Sequence, residues 1–257
     1  DLIVGARGGA VQLLLYSVFH MGSATNNISY KSYQEIKTNG QIKWTIPISL
    51  GDSHKGYRVI GTDENLFTHY RYRGDHALEF ETGRAPQDVF EVVLGAEVAR
   101  KLKYKLDQEI VLTHGISEGE GILKHEDKPF KIVGILKKTS TPIDRGLYIL
   151  LEGIEAIHMD WQNGAPPLPG QGISKDLIKK DKIKIEQITA FLLRTQSRIG
   201  TLYIQRDINL FEKEALMAII PGVTLTELWK NISYAEEGLK LISYFVIAVG
   251  FLGMLIA

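Results

Sequence analysis

The last part of the chain is a long apolar run that limits the possible folds of this protein. From Leu241 to Ala257 the sequence contains no charged residue and no proline. A helix that crosses the hydrocarbon core of a bilayer needs about 20 mostly apolar residues, and about 17 are present in this run. We therefore expect residues 233–257 to form the start of a transmembrane helix.

The residues before this run favour the same interpretation. Glu236, Glu237 and Lys240 precede it, and Tyr234 and Tyr244 are of the type that lies at the headgroup level. The alternative is a buried C-terminal helix of a soluble protein, which usually keeps one polar stripe. No such stripe is present from Phe245 onward, so a membrane protein is the better interpretation.

Composition limits the classes of function. The 257 residues, 44% of them hydrophobic, suffice for one large or two small domains. Thirty basic and thirty acidic residues cancel, so no overall charge attracts nucleic acid, and we predict no nucleic-acid partner. The absence of cysteine excludes disulfides, cysteine-ligated zinc and a thiol nucleophile, but leaves the compartment open.

The beginning of the sequence predicts an excerpt from a longer protein. It starts at Asp1, and no basic region followed by an apolar core marks a signal peptide. Apolar residues at helical spacing predict a helix from about Gly9.

Three further elements are predicted before residue 62. Ser29 is expected to cap a helix that runs through Ile36. Alternating apolar residues then predict a strand over residues 42–48, a turn at Gly51-Asp52-Ser53 and a return strand over residues 57–61.

The middle of the chain has the densest strand pattern. The predicted elements are a strand Phe90–Leu94, a helix Gly95–Leu102, strands Glu109–Thr113, Phe130–Leu136 and Leu147–Leu151, and a helix near Ile154–His158. Short loops between such elements are typical of a compact mixed subdomain.

The rest of the chain predicts a linker and a second mixed unit. Residues 165–170 are rich in proline, which suits neither a helix nor a central strand, and predict a linker. A strand Ile185–Arg194, a helix from about Ile199 to Met217, and a turn with a short strand over Ile219–Thr224 are expected next. A long helix from Leu225 is predicted to continue into the apolar run.

Few residues suggest binding chemistry. The Gly5–Gly9 cluster lacks the Lys-Ser/Thr of a phosphate loop. His69, Asp75, His76 and Glu79 include metal-ligand types but form no His-x-x-x-His pair, so a solvated loop is the preferred interpretation.

The same interpretation is given to two other polar stretches. His114 and His125 flank the glycine-rich residues 115–121, which predict a flexible hairpin tip and not a metal site. The basic tract Lys175–Lys184 alternates with acidic residues and predicts a solvated face.

The sequence shows no clear catalytic machinery. It contains no His-Glu-x-x-His helix and no Walker A motif, and the Gly-x-Ser-x-Gly spacing of residues 115–119 falls in the stretch that predicts a flexible hairpin tip, not in a strand-turn-helix elbow. We therefore predict a protein that is not an enzyme, and we assign no catalytic, cofactor-binding or metal-binding residue and no cofactor.

Several motifs in order carry a family resemblance. They are Tyr57-Arg-Val-Ile-Gly-Thr62, Gly83-Arg84, Val92-Val-Leu-Gly-Ala-Glu-Val-Ala99, Phe130-Lys-Ile-Val-Gly-Ile-Leu136 and Pro142-Ile-Asp-Arg145. Together they resemble the extracytoplasmic region of MacB/FtsX-like ABC transporter permeases, over nearly the whole chain. Residues 1–9 are similar to the segment that leaves the first membrane helix in one branch of that family.

The resemblance implies a fold and a domain organisation. The implied class is α+β, with a porter-like outer module, an inserted smaller β-rich module and a C-terminal helix that runs into a transmembrane segment. The expected boundaries are residues 1–28 for a helix leaving the membrane, 29–62 with 183–232 for the porter-like subdomain, 63–182 for the insertion, and 233–257 for the second membrane helix.

The resemblance also implies a function. It implies the periplasmic domain of a permease subunit in a bacterial inner membrane, which couples ATPase-driven motion of membrane helices to export or to a periplasmic or lipid-borne partner. The implied partners are an ABC ATPase subunit, a second permease subunit and membrane lipid. The alternatives are a membrane-anchored sensor or interaction domain without transport, and a soluble hydrolase.

Overall fold

A computed structural model describes residues 1–115, 125–161 and 172–256. Most of its strands belong to one large mixed sheet. In chain order the strands are β1 Leu2–Ala6, β2 Ile28–Ser29, β3 Ile42–His54, β4 Tyr57–Thr62, β5 Arg71–Tyr72, β6 His76–Ala77, β7 Phe80–Gly83, β8 Glu91–Leu94, β9 Glu109–Ile110, β10 Thr113–His114, β11 Phe130–Leu136, β12 Gly146–Leu150, β13 Gln187–Ile188, β14 Ala190–Thr195 and β15 Leu216–Ile219.

The large sheet has the strand order β15-β1-β14-β3-β4-β12-β8-β11-β7, with β10 paired to β3 and β9 paired to β11. Two short pairs, β2 with β13 and β5 with β6, lie outside it. The helices are α1 Ala10–Val18, α2 Tyr30–Lys37, α3 Asn65–His69, α4 Ala96–Leu102, α5 Leu151–His158, α6 Arg198–Asn209 and α7 Pro221–Ile256.

Strand β3 joins the two halves of the sheet. Its first part pairs with β14, with Trp44 opposite Arg194 and Ile48 opposite Ala190. Its second part pairs with β4, with Ser49 opposite Gly61. One continuous strand of 13 residues is therefore shared by both halves.

Apolar side chains form four clusters, two of which lie mainly on one half of the sheet each, while a third spans both halves. In one of the first two, Leu2, Val4, Tyr33 and Phe191 are buried, together with residues of α6. In the other, the buried side chains come mainly from β8, β11, β12, α4 and α5. Full burial of one such side chain contributes about 1.5–3 kcal/mol to stability, so each cluster forms a substantial core.

The α+β class predicted from the sequence is confirmed, as are most local elements. Helix α1 begins where the apolar spacing predicted. Helix α2 has Ser29 as its N-cap, and the Ser29 side chain accepts a hydrogen bond from the Ser32 backbone N–H. The predicted strand–helix succession in the middle of the chain corresponds to β8, α4, β11, β12 and α5.

The turn predicted at Gly51-Asp52-Ser53 is wrong. These residues continue β3 to His54, and the chain reverses at Lys55 and Gly56, whose φ angles are 47° and 75°. Positive φ at both central residues is the geometry of a tight turn whose twist matches the flanking strands. The turn-like composition of residues 51–53 instead accompanies a register irregularity between Leu50 and Ser53.

The helix predicted from Ile199 to Met217 is too long. Helix α6 ends at Asn209, and Leu216–Ile219 form β15, which pairs with β1. The Asn209 side chain accepts the backbone N–H of Ala218, which fixes the return of the chain. Long-range strand pairing overrides local helical spacing here, as tertiary context commonly does.

Two boundaries near the ends of the chain also differ from the predictions. Helix α7 begins at Pro221 and not at Leu225, so residues 221–224 are helical and not part of a strand. Proline suits the first helical position because its missing N–H has no partner there. Residues 2–6 form β1, so the helix expected within residues 1–28 begins only at Ala10.

The strand predicted over Glu109–Thr113 is divided into β9 and β10. The proline-rich linker at residues 165–170 and most of the hairpin tip at residues 115–121 lie outside the described residues. The expected domain boundaries remain a prediction.

Gly95 provides a test of the packing between α4 and the turn Pro142–Arg145. A Cβ at Gly95 would lie 2.4 Å from the Ile143 carbonyl oxygen and 2.5 Å from the Asp144 carbonyl. These are backbone atoms, so we expect Gly95→Ala to lower the free energy of unfolding by about 1–3 kcal/mol. Gly40→Ala, where nothing lies within 4 Å of the added Cβ, is the control.

The measurement is thermal or denaturant unfolding of both variants in detergent. We expect the Gly40→Ala variant to stay within about 0.5 kcal/mol of the parent protein. Equal stability of the two variants would show that α4 is not held against this turn.

Candidate functional site

Helix α7 contacts the body of the protein only through its first two turns. Pro221, Thr224, Leu225 and Leu228 are buried or partly buried, and their spacing places them on one helical face. Leu225 packs against the cluster that contains Leu13 and Leu14 of α1. All described residues after Leu228 are exposed, so the helix projects away from the sheet.

The start of the chain lies beside the start of α7. In the β1–β15 pair, Ile3 is opposite Ile219, and the same antiparallel register brings Asp1 next to Pro221. Asp1 also approaches Arg194, at 3.7 Å, and Arg194 is opposite Trp44 on β3. We call this edge, marked by Asp1, Trp44, Arg194 and Pro221, the α7 end of the sheet.

The distal part of α7 has the character of a membrane span. Among the described residues, Pro221–Ile256 is long and apolar enough to cross a bilayer, and none of its most apolar window is buried against the protein. A core helix of a soluble protein would be covered instead. The exposed side chains include Phe245 (65%) and Ile256 (84%).

A cavity of about 280 Å³ opens at the α7 end. Ile3, Trp44, Tyr148 and Pro221 are among its lining residues, and His20 lies at its edge. His20 is partly exposed, but its Nδ1 is enclosed; burial, assisted by the Arg58 charge, lowers the pKa of His20 to about 4. The cavity is therefore mainly apolar and presents a neutral imidazole at neutral pH.

Four polar side chains converge near the opposite end of β3. Asp52 lies in β3 and His114 in β10, and the β3–β10 register places these two directly opposite each other. His125 precedes β11, and its backbone N–H bonds to the Leu112 carbonyl. His158 is the last residue of α5. We call Asp52, His114, His125 and His158 the histidine cluster.

The donor atoms of the histidine cluster are close together. All four lie within 4.8 Å of one another. Asp52 Oδ1 is 3.4 Å from His114 Nδ1, and it is 3.7 Å from both His125 Nε2 and His158 Nε2. His114 Nδ1 and His158 Nε2 are 3.2 Å apart. Asp52 is eight positions after Trp44 along β3, so the cluster lies about 25 Å from the α7 end.

Burial and charge together set the electrostatics of the cluster. Burial alone would raise the pKa of Asp52, but the adjacent histidines outweigh it and lower this pKa below its ordinary value. The carboxylate of Asp52 raises the pKa of His114, whereas burial lowers the pKa of His158. Asp52 is thus ionised at neutral pH, and it faces the imidazoles of His114, His125 and His158.

The four residues of metal-ligand type between positions 69 and 79 do not form a common site. His69 stacks on Trp44, with 5.5 Å between ring centroids. Asp75 approaches Arg71, and Glu79 pairs with Lys137. His76 is exposed in β6, next to Tyr72.

From the sequence, His114 and His125 were expected only to flank a flexible hairpin tip, Asp52 was noted only within a predicted turn, and His158 only at the end of a predicted helix. The structure groups these four residues, although nothing in their spacing along the chain indicates it. Only the pairing of β10 with β3, and the position of α5 after β12, brings them together.

Comparison with known proteins identifies the family of this chain. The profile of the MacB-like periplasmic core domain matches residues 5–173. Among solved structures, the periplasmic region of MacB from Actinobacillus actinomycetemcomitans is similar, with a TM-score of 0.52 and 11% identity, covering 90% of this chain and 92% of that one. At 11% sequence identity, this similarity shows a shared fold and no more.

A second similar structure is the extracellular domain of the noncanonic ABC-type transporter YknZ from Gram-positive bacteria. The TM-score is 0.45 at 10% identity, covering 86% of this chain and 100% of that one. The comparison with curated proteins gave no match. Because the family profile covers well over half of the described fold, including β3, β4, β8, β11 and β12, the chain belongs to the family of MacB-like periplasmic core domains.

Proposed function

We propose that this chain is the periplasmic domain of an ABC transporter permease subunit in a bacterial inner membrane. Its role is to couple ATPase-driven motion of membrane helices to export, or to a periplasmic or lipid-borne partner. The observation that carries the proposal is the direct continuation of β15 into α7, with Asp1 beside the point where α7 begins.

The dimensions of α7 support a mechanical role. Its 36 residues make a helix of about 54 Å. Residues 241–256 account for about 24 Å of this length, which leaves about 30 Å between the apolar run and the sheet. Only Ile220 separates β15 from the helix, so movement of the membrane span is passed to the sheet without a flexible loop.

The arrangement of the α7 end supports a domain placed between two membrane helices. A membrane helix preceding Asp1 would emerge beside α7, because Asp1 and Pro221 are adjacent in the β1–β15 register. Relative motion of two such helices would act on β1 and β15, which are neighbours in the sheet. The sheet is then the element that receives the motion.

The proposed partners follow from a role that transmits motion but does not hydrolyse ATP. The sequence has no Walker A motif, so ATP hydrolysis is assigned to an ABC ATPase subunit. A second permease subunit and the surrounding lipid complete the proposed assembly. The domain itself is proposed to be non-catalytic, which agrees with membership of the MacB-like family.

We also propose the domain division expected from the sequence. Residues 29–62 and 183–232 form the porter-like unit, and residues 63–182 form the inserted unit. The pairing of β14 with β3 and the two apolar clusters that lie mainly on one half each support this division, while a third cluster joins the two units. The units share one sheet, since β12 of the insertion pairs with β4.

The proposed location is tested by labelling a single cysteine. The chain has no cysteine, and Asp75 has a side chain that is 93% exposed. In intact cells that express the full-length protein, we expect Asp75→Cys to react with a membrane-impermeant maleimide. The parent protein, treated in parallel, measures the background.

Lysed cells give the reference for complete labelling. Reaction of Asp75→Cys only after lysis would place the domain in the cytoplasm and end the proposal.

The mechanical role is tested by a proline in α7. Glu237 is exposed, and no described residue from Trp229 onward is buried, so Glu237→Pro should interrupt the helix without unfolding the sheet. We expect the variant permease to hydrolyse ATP with its ATPase while losing the ATP-dependent change in amide hydrogen exchange of the domain. Glu237→Ala, which keeps the helix, is the matched control.

Unfolding curves of the two variants establish that the domain is intact. An ATP-dependent exchange change that survives in Glu237→Pro would show that α7 does not transmit the motion. A full-length protein in which ATP changes no exchange at all would favour a membrane-anchored sensor.

A further inference from the structure

We propose that the histidine cluster binds one divalent transition-metal ion of the zinc type. The donors are Asp52 Oδ1, His114 Nδ1, His125 Nε2 and His158 Nε2, which the fold has already gathered within 4.8 Å of one another. This inference is independent of transport, because it concerns the end of β3 that lies away from α7.

The distances between donors fit a tetrahedral ion. Bonds of about 2.0–2.1 Å from Zn²⁺ to imidazole nitrogen or carboxylate oxygen place neighbouring donors about 3.3 Å apart. The observed separations from Asp52 Oδ1 are 3.4, 3.7 and 3.7 Å, and His114 Nδ1 lies 3.2 Å from His158 Nε2. Small side-chain adjustments would therefore complete the coordination.

The donor atoms of Asp52 and His125 are not engaged outside the cluster in the described part of the chain. Both carboxylate oxygens of Asp52 and both ring nitrogens of His125 are enclosed, and they form no hydrogen bond with any described residue outside the cluster. Such enclosed polar atoms are rare in folded proteins, because each one costs desolvation free energy. A cation held between them would supply the missing interaction.

His158 is oriented as metal-binding histidines usually are. Its Nδ1 lies 2.8 Å from the Ile154 carbonyl oxygen, which can only accept, so Nδ1 carries the proton. The lone pair is then on Nε2, which faces Asp52 and His114. A backbone carbonyl that fixes the second nitrogen of a ligand histidine is a common feature around bound metals.

The surroundings hold the cluster in place. The Trp161 ring packs against all three imidazoles, with centroid distances of 4.7 Å to His125, 5.3 Å to His158 and 5.4 Å to His114. Lys128, which is fully buried, donates to Asp160 at 2.6 Å and ties the segment of His125 to the segment of His158. Packing against Trp161 and the ion pair between Lys128 and Asp160 therefore hold the ligand residues in position.

The donor set indicates the class of ion and its role. Imidazole nitrogens suit Zn²⁺, Co²⁺, Ni²⁺ and Cu²⁺, whereas Mg²⁺ and Ca²⁺ prefer oxygen ligands. Four protein donors leave no open tetrahedral position, which is typical of structural and not catalytic zinc sites. The ion would bind β3, β10, the His125 segment and α5 to one another.

Metal binding is measured on the purified full chain in detergent, without a histidine tag and after dialysis against chelator. We expect one equivalent of Zn²⁺ to bind and to raise the melting temperature by about 5 °C or more. Millimolar Mg²⁺ should have no such effect. Co²⁺ should give the intense visible absorption of a tetrahedral complex and quench Trp161 fluorescence.

The variants are chosen so that loss of binding is separable from loss of fold. His114 is half-exposed, so His114→Ala should fold, yet it should weaken Zn²⁺ binding at least 100-fold. His125→Ala is a second ligand variant, whose fold is checked by circular dichroism. His76→Ala, at an exposed histidine outside the cluster, is the control and should bind as the parent protein does.

Either of two results would overturn the proposal. The first is that the parent protein binds no Zn²⁺ when about one equivalent of the ion per chain is added. The other is a folded His114→Ala variant that binds Zn²⁺ as tightly as the His76→Ala control.

Discussion

The hydrogen bonds along β3 hold the two halves of the described sheet together. This strand pairs with β14 in its first half and with β4 in its second, so it is the only path within the described sheet from β1 and β15 to β12, β8 and β11. It also carries Trp44 at the α7 end and Asp52 in the histidine cluster. Displacing β3 would therefore separate the two halves of the sheet and disrupt both candidate sites at once.

Features that depend on neighbouring residues were predictable from the sequence. The Ser29 cap, the α4 helix, the β11 strand and the apolar run of α7 each follow from composition and spacing within about one element. The family resemblance rested on the same local motifs, and the match of residues 5–173 to the MacB-like profile confirms it.

Features that depend on long-range pairing were not predictable in the same way. Leu216–Ile219 form a strand because β1 lies beside them, and the local spacing favoured a helix. Gly51-Asp52-Ser53 resemble a turn, yet they are held extended between β4 and β10. The histidine cluster was missed for this reason, since Asp52 meets His114 only through the β3–β10 register.

The two ends of β3 then have different proposed tasks. At one end, α7 and β1 would receive motion from the membrane. At the other end, about 25 Å away, a bound ion would hold β3 to β10 and α5, which makes the receiving sheet stiffer. A stiff sheet passes on displacement, whereas a loose one would absorb it.

If ATP moves α7 together with its domain, the distance between the two permease subunits should change when ATP binds. Lys230, exposed on α7 just above its contact with the sheet, can be replaced by cysteine and spin-labelled in an otherwise cysteine-free chain. Pulsed electron paramagnetic resonance would then measure the distance between the two spin labels in the assembled permease, with and without bound ATP. We expect two different distance distributions, and identical distributions in the two states would show that ATP does not move α7.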